Sequence, residues 1–179
     1  MTAAQRIPLK DQLFTREKVE LIAGEIERVH PAFRAGEFVA AVVARIPELE
    51  LKARIDWITT CLEGHLPPDL RRAVSVLVRS LPAPVDPTRS DGDFGDFIYA
   101  PYAQYVARHG CTAKDLDFSL AALREITTRF SAEFAIRPLL NLFPGQVLAT
   151  CRSGRRTSTT TCVGSVARAR DRGSHGHGA

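Results

Sequence analysis

Apolar residues recur at three- and four-residue steps through most of this chain, and each run stops at proline or glycine. The first run follows Thr15, an N-cap candidate, and ends before Pro31. No segment of the body alternates apolar and polar residues between turn signals, so the sequence offers no source of β-strands. We therefore predict an all-α fold. The later runs cover about residues 38–46, 51–64, 70–81, 98–110, 116–126 and 134–143.

The predicted helices fall into pairs joined by short breaks, at about residues 15–46, 50–81 and 97–143. A spacing of about 35 to 45 residues is typical of helical-repeat solenoids. The pairs share no repeated signature, but the spacing favours a HEAT-like stack of antiparallel helix pairs over a closed bundle. This domain should cover residues 10–150. Beyond it the apolar period is lost, and we expect residues 151–179 to form a disordered basic tail.

The net charge of +4 does not by itself indicate that the body binds nucleic acid. Six arginines and one aspartate lie from Arg152 onward, which leaves residues 1–151 with a net charge of −1. The chain has no run of eighteen apolar residues and no apolar segment typical of a signal peptide. Its four cysteines show neither a disulfide framework nor CxxC spacing. We expect a cytoplasmic protein with free thiols.

Motifs for phosphate-binding glycine loops, GxSxG nucleophiles and HExxH metal sites do not occur in the sequence. Cys61 and His65 stand four residues apart, but structural zinc needs four ligands and no second pair lies nearby. A buried thiol and a surface imidazole are the simpler interpretation. His175 and His177 form a weak chelating pair that is more typical of an idle tail. We predict no metal and no cofactor.

Residues 93–106 are unusual for a plain helical scaffold because they place three tyrosines behind two aspartates. Tyr99 and Tyr102 follow Asp93 and Asp96 in this stretch. Aromatic rings beside carboxylates can hold a positively charged base, since the π face attracts cations. The alternative is that the tyrosines pack between helices with their polar tips bonded.

A second unusual stretch, residues 129–140, places Glu133 and Arg137 one helical turn apart, where they can pair. A surface ion pair without a function is the alternative. The sequence FSAEFAIRP at 130–138, preceded by ELKARI at 50–55, resembles the DNA alkylation repair proteins of the AlkC/AlkD type, and the AlkC branch most. The resemblance covers about residues 10–150, which is about the N-terminal half of a full family member.

This resemblance implies a HEAT-like alkylpurine DNA glycosylase, which hydrolyses the N-glycosidic bond of cationic lesions such as 3-methyladenine. Glu133 matches an acidic residue that would stabilise the positive charge developing on the deoxyribose. Arg137 would orient it or contact a phosphate, and Tyr99, Tyr102 and Asp96 are weaker candidates for the site. The implied partner is double-stranded DNA with alkylated bases, bound by a monomer. The alternative function is a non-catalytic HEAT-like module that binds DNA or protein.

The basic tail after Thr150 has a second interpretation besides a nucleic-acid-binding arm. When it is back-translated and read one base out of frame, permitted codons allow LQEWASDLDDHVRRLGSEGTRPRLPWA. This string looks like the family's continuation, with an HVRRL repeat start and a SEGxRPRLPW element. We therefore expect that the reading frame is lost near Cys151, and that the 179-residue chain is a poor glycosylase.

Overall fold

A computed structural model describes residues 8–84 and 96–154, with side chains up to position 152. Short 3₁₀ turns at Ile46–Glu48 and Phe97–Tyr99 join some of the helices. These two ranges contain no β-strand, which confirms the all-α prediction. Their nine α-helices are α1 (Leu9–Leu13), α2 (Arg16–Val29), α3 (Ala35–Arg45), α4 (Leu51–Glu63), α5 (Leu70–Ser80), α6 (Ala100–His109), α7 (Leu116–Thr127), α8 (Glu133–Leu142) and α9 (Pro144–Gly154).

Capping side chains determine where two of the long helices begin. The hydroxyl oxygen of Thr15 accepts a hydrogen bond from the backbone N–H of Lys18 at 3.3 Å, as the sequence predicts for the start of α2. At the start of α5, Asp69 Oδ1 accepts from the backbone N–H of Arg72 at 2.9 Å. Both bonds satisfy amides that have no partner inside the helix.

The C-terminal end of the described chain differs from the prediction. Pro144 lies two residues after the end of α8 but begins a new helix. Proline is tolerated in the first turn because the N–H groups of that turn have no partner inside the helix. Val147 is buried and Cys151 packs against the core, which anchors α9 to the domain. The helix therefore continues to Gly154, four residues past the predicted end of the domain at 150. The rest of the predicted tail, 155–179, lies outside the described residues.

The helices are arranged in two layers. Helices α3, α4, α6 and α8 contact one another in succession and form the first layer. Helices α2, α5 and α7 form the second layer, and the two layers are joined where α2 packs on α3 and where α6 packs on α5 and α7. This stacking is that of the predicted helical-repeat solenoid. None of the described helices is long and apolar enough to cross a membrane.

Arg54 on α4 is fully buried, which is uncommon for a charged side chain. Its Nε donates to the carbonyl oxygen of Leu49 at 2.9 Å and its Nη1 to that of Lys10 at 2.7 Å. Its Nη2 donates to Asp11 Oδ1 at 2.5 Å. Because all three guanidinium nitrogens are bonded, the buried charge is compensated, and α1 is fastened to α4.

Candidate active site

A cleft of about 460 Å³ opens along the first layer, between α4, α6 and the start of α8. The 3₁₀ turn at Phe97–Tyr99 closes one side of it. The cleft combines an apolar wall with a few polar groups, which is the usual composition of a ligand site. Its lining residues are Leu51, Lys52, Ile55, Asp56, Phe97, Gln104, Phe130, Ser131, Glu133 and Phe134.

Three phenylalanines form the aromatic wall of the cleft. The ring centroids of Phe97 and Phe130 are 4.8 Å apart in an edge-to-face arrangement, and Phe134 lies 6.3 Å from Phe130. Phe14 supports Phe97 from behind, with its ring centroid 6.4 Å away. Phe130 is almost fully buried, whereas Phe97 and Phe134 are only partly covered and can meet a ligand. Such a wall attracts a cation through the faces of its rings.

Glu133 is the first residue of α8 and lines the cleft beside this wall. The positive end of the helix dipole favours a carboxylate at this position. Arg137, one turn further along α8, brings its Nη2 to 3.9 Å from Glu133 Oε1. Only 23% of the Glu133 side chain is exposed, so its charge acts through less water than a surface carboxylate would. The structure thus brings Glu133 and Arg137 together at a ligand-sized opening.

A second carboxylate, Asp56 on α4, lines the same cleft. Its Oδ1 accepts from Gln104 Nε2 at 2.9 Å and lies 3.3 Å from Arg108 Nη2. Lys52, one turn before Asp56, adds a positive charge to the rim. None of these residues was predicted from the sequence to lie at a site. The ELKARI segment at 50–55 was a signal for Lys52, but nothing in the sequence distinguished Gln104 from its neighbours.

Tyr99 and Asp96 lie together but do not line the cleft. The Tyr99 hydroxyl donates to the carboxylate of Glu25 on α2, at 3.0 Å from Oε2, and its ring is buried. Asp96 caps the 3₁₀ turn and pairs with Lys18 Nζ at 2.9 Å. Burial raises the pKa of the Tyr99 phenol and also that of Glu25. These residues hold the turn against α2, and they position Phe97 rather than meet a ligand.

Tyr102 lies in the core, rather than at the surface of the site that the sequence analysis assigned to it. Its side chain is fully buried, and its hydroxyl oxygen accepts from Ser80 Oγ on α5 at 3.2 Å. The Tyr99 ring meets it edge to face at 5.7 Å. This is the helix-packing arrangement that the sequence analysis gave as the alternative. Asp93, the remaining candidate, lies outside the described residues.

Cys61 and His65 interact locally on and just after α4. The His65 Nδ1 lies 2.8 Å from the Cys61 carbonyl oxygen, and its ring packs against Phe33 and Phe38. Burial raises the pKa of the Cys61 thiol to about 11, so it stays protonated at neutral pH. Within residues 8–84 and 96–154, no three His, Cys, Asp or Glu side chains gather as a metal site.

A solved structure is similar in fold to most of the present chain. It is the Pseudomonas fluorescens alkylpurine DNA glycosylase AlkC bound to DNA containing an abasic site analog, with a TM-score of 0.68 and 30% sequence identity. The match covers 83% of this chain but only 38% of that AlkC chain. No protein-family model and no curated protein matches the sequence. The resemblance to the AlkC branch that the sequence predicts is confirmed.

Proposed function

From the resemblance to AlkC in sequence and fold, we propose that this chain is the N-terminal portion of a DNA glycosylase. It would hydrolyse the N-glycosidic bond of cationic alkylated bases, such as 3-methyladenine, in double-stranded DNA. The similarity supports a role in DNA alkylation repair in general. The observation that carries the finer proposal is the cleft, where the Glu133 carboxylate stands beside an aromatic wall.

The chemistry of a cationic lesion needs few protein groups. The bond between C1′ and the base breaks, and its electron pair neutralises the positive charge on the base. The positive charge then develops on the deoxyribose, where a fixed carboxylate stabilises the transition state electrostatically. Glu133 is the group that we assign to this role. A water molecule adds to C1′ and loses a proton, which completes the hydrolysis.

The other residues of the cleft would hold the lesion and the backbone. The rings of Phe97 and Phe134 offer their faces to the cationic base. Arg137 would orient Glu133 or contact a phosphate, and Lys52 at the rim is a second phosphate contact. Asp56 is already paired with Arg108, so its negative charge is largely compensated.

The remaining elements of the proposal concern the whole chain. We propose that it acts in the cytoplasm as a monomer and without a cofactor. We also propose that the reading frame changes near Cys151, and that the in-frame continuation supplies further arginines and tryptophans to the surface that binds DNA. Restoring the frame near codon 150 should then increase the release of 3-methyladenine. An unchanged rate of release after this correction would contradict the frame change.

The central experiment replaces Glu133 by Gln in the frame-corrected protein, which serves as the parent chain, and measures single-turnover release of 3-methyladenine from methylated duplex DNA. Glu20→Gln is the matched control, because Glu20 also pairs with an arginine four residues away but lies on the exposed face of α2, outside the cleft. Loss of one charge-stabilising group typically costs a factor of about 10² to 10³ in rate. We expect a loss of this size for Glu133→Gln only, with DNA binding nearly unchanged.

Two other outcomes would assign the chain differently. Equal rates for both variants and the parent chain would make Glu133 a structural residue. If both the 179-residue chain and its frame-corrected form bind methylated duplex without releasing base, the protein is the non-catalytic HEAT-like module. Thermal unfolding of each variant checks that the fold is retained.

A further inference from the structure

A second concave surface lies on the other layer of helices, where the end of α2 meets α5. It has a volume of about 520 Å³ and shares no lining residue with the cleft. We call it the basic groove. None of its lining residues is acidic, although residues 1–151 as a whole carry a net charge of −1. The lining residues are Val29, His30, Pro67, Arg71, Arg72, Ser75, Val76 and Arg79.

The arginines of the basic groove follow the period of α5. Arg72 and Arg79 are seven residues, or about two helical turns, apart, and Ser75 lies between them on the same face. The rise of 1.5 Å per residue separates the two arginines by about 10 Å along the helix. Both side chains are exposed, and neither forms an ion pair with a residue in the described ranges.

Arg71 is fixed at the edge of the same groove. Its Nη2 lies 3.2 Å from Asp115 Oδ1, and its guanidinium stacks over the Phe118 ring at 4.8 Å from the centroid. These contacts connect α5 to α7 and leave Arg72 and Arg79 as the charges available to a partner. A guanidinium binds phosphate oxygens through paired N–H donors, and a serine hydroxyl can add a third donor.

We infer that the basic groove binds the phosphate backbone of duplex DNA, at a site separate from the cleft. Duplex DNA presents a continuous row of phosphates along each strand, so two arginines about 10 Å apart can each contact a different phosphate. A single small anion would instead be surrounded by converging side chains. The choice of DNA as the polyanion rests on the proposed function, while the groove itself does not depend on Glu133 or on a lesion.

The net charge of residues 1–151 is −1, so attraction to DNA depends on where the arginines lie. A DNA-binding face in a weakly acidic body requires local segregation of arginines, and α5 provides it. Because the groove and the cleft lie on different layers, the groove would hold undamaged duplex away from the lesion. It would keep the protein on DNA regardless of sequence.

The test measures the affinity for an undamaged 20-base-pair duplex between 50 and 200 mM salt, by fluorescence anisotropy. The test variant is Arg72→Ala with Arg79→Ala. The matched control is Arg16→Ala with Arg124→Ala, which removes the same charge from exposed positions outside the groove. All proteins keep the same basic C-terminal segment, so its contribution cancels in the comparison. Circular dichroism confirms that each variant is folded.

Removal of two phosphate contacts should lower the slope of log affinity against log salt by about two. Over this fourfold range of salt, the parent chain should lose about tenfold more affinity than the test variant. Arg72→Lys with Arg79→Lys should restore most of the slope, since lysine still neutralises a phosphate. A slope for the test variant equal to that of the control would overturn the inference.

Two further results distinguish duplex binding in the basic groove from small-anion binding and from the proposed function. If inorganic tripolyphosphate binds the parent chain more tightly than the test variant, while the two proteins give equal slopes for duplex DNA, the groove binds small anions and the inference is wrong. If Glu133→Gln has no effect on base release while the Arg72 and Arg79 variants still weaken duplex binding, the proposed function fails and the groove stands.

Discussion

The two aromatic regions of this protein meet at the 3₁₀ turn before α6 but differ in what they can do. Tyr99 in the turn before α6 and Tyr102 on α6 are buried, and their hydroxyls are bonded to Glu25 and Ser80. The phenylalanines of the cleft form a wall without polar tips, and two of them remain partly open. The tyrosines therefore stabilise the contact between layers, while the phenylalanines are available to a ligand. An aromatic residue near a carboxylate indicates a site only when its face is accessible.

Truncation of one residue in each region should separate stability from binding most clearly. Tyr102→Ala removes a fully buried ring, and such changes cost about 3 to 5 kcal/mol in free energy of unfolding. Phe134→Ala should cost less because its ring is only partly buried. Chemical denaturation measures both. In the folded fraction, Phe134→Ala should weaken capture of methylated DNA, and Tyr102→Ala should not. The opposite pattern would place the ligand against the tyrosines.

A glycine at the end of the tyrosine helix tests how tightly the layers pack. A methyl group on Gly110 would lie 2.1 Å from Ser119 Oγ and 2.9 Å from the Val106 carbonyl oxygen. Ser119 is buried and donates to the Gly110 carbonyl oxygen at 2.8 Å, so it cannot simply turn away. Gly110→Ala should destabilise the protein by about 1 to 3 kcal/mol. Gly64→Ala, whose added methyl group meets an atom only at 3.6 Å, is the control. Equal melting temperatures would show that the α6–α7 contact is loose.

The smallest expected effect is a pH dependence from the tyrosine region. Burial raises the pKa of Glu25 above its usual 4.5, so the folded protein holds this proton more tightly than the unfolded chain. The stabilisation from the protonated form is present below about 4.5 and is lost as pH rises through the folded-state pKa. Glu25→Gln should therefore gain in melting temperature relative to the parent chain between pH 4 and 7. A gain that stays constant over this range would contradict the burial of Glu25.

Much of the fold follows from the sequence because helix bounds have local causes. Thr15 and Pro31 bracket α2, and Gly64 ends α4, as the apolar period and the breaking residues predict. The start of α9 was not predicted because Pro144 and Gly145 are residues that typically follow the end of a helix. The burial of Val147 against the core, which the local sequence does not show, stabilises α9.

The site was harder to predict because it depends on which face of a helix is left uncovered. Tyr102 and Gln104 are two residues apart on α6, so they point to nearly opposite sides. The core covers Tyr102, while Gln104 lines the cleft between α4 and α8. No local pattern states where those helices will pack. The prediction of Glu133 and Arg137 as site residues comes from a nine-residue motif that resembles a family, and not from their spacing.

Through the buried guanidinium of Arg54, helix α1 supports the helix that forms one wall of the cleft. Two of its three bonds reach residues 10 and 11, while α4, on which it sits, supplies Lys52 and Asp56 to the lining. A protease that cut after Asp11 would sever this connection and leave a cation in the interior with one acceptor, the Leu49 carbonyl. Resistance of α1 to limited digestion therefore reports whether α4 is held in its native position. A shortened protein that begins at Thr15 would lack these contacts and would be a poor choice for functional work.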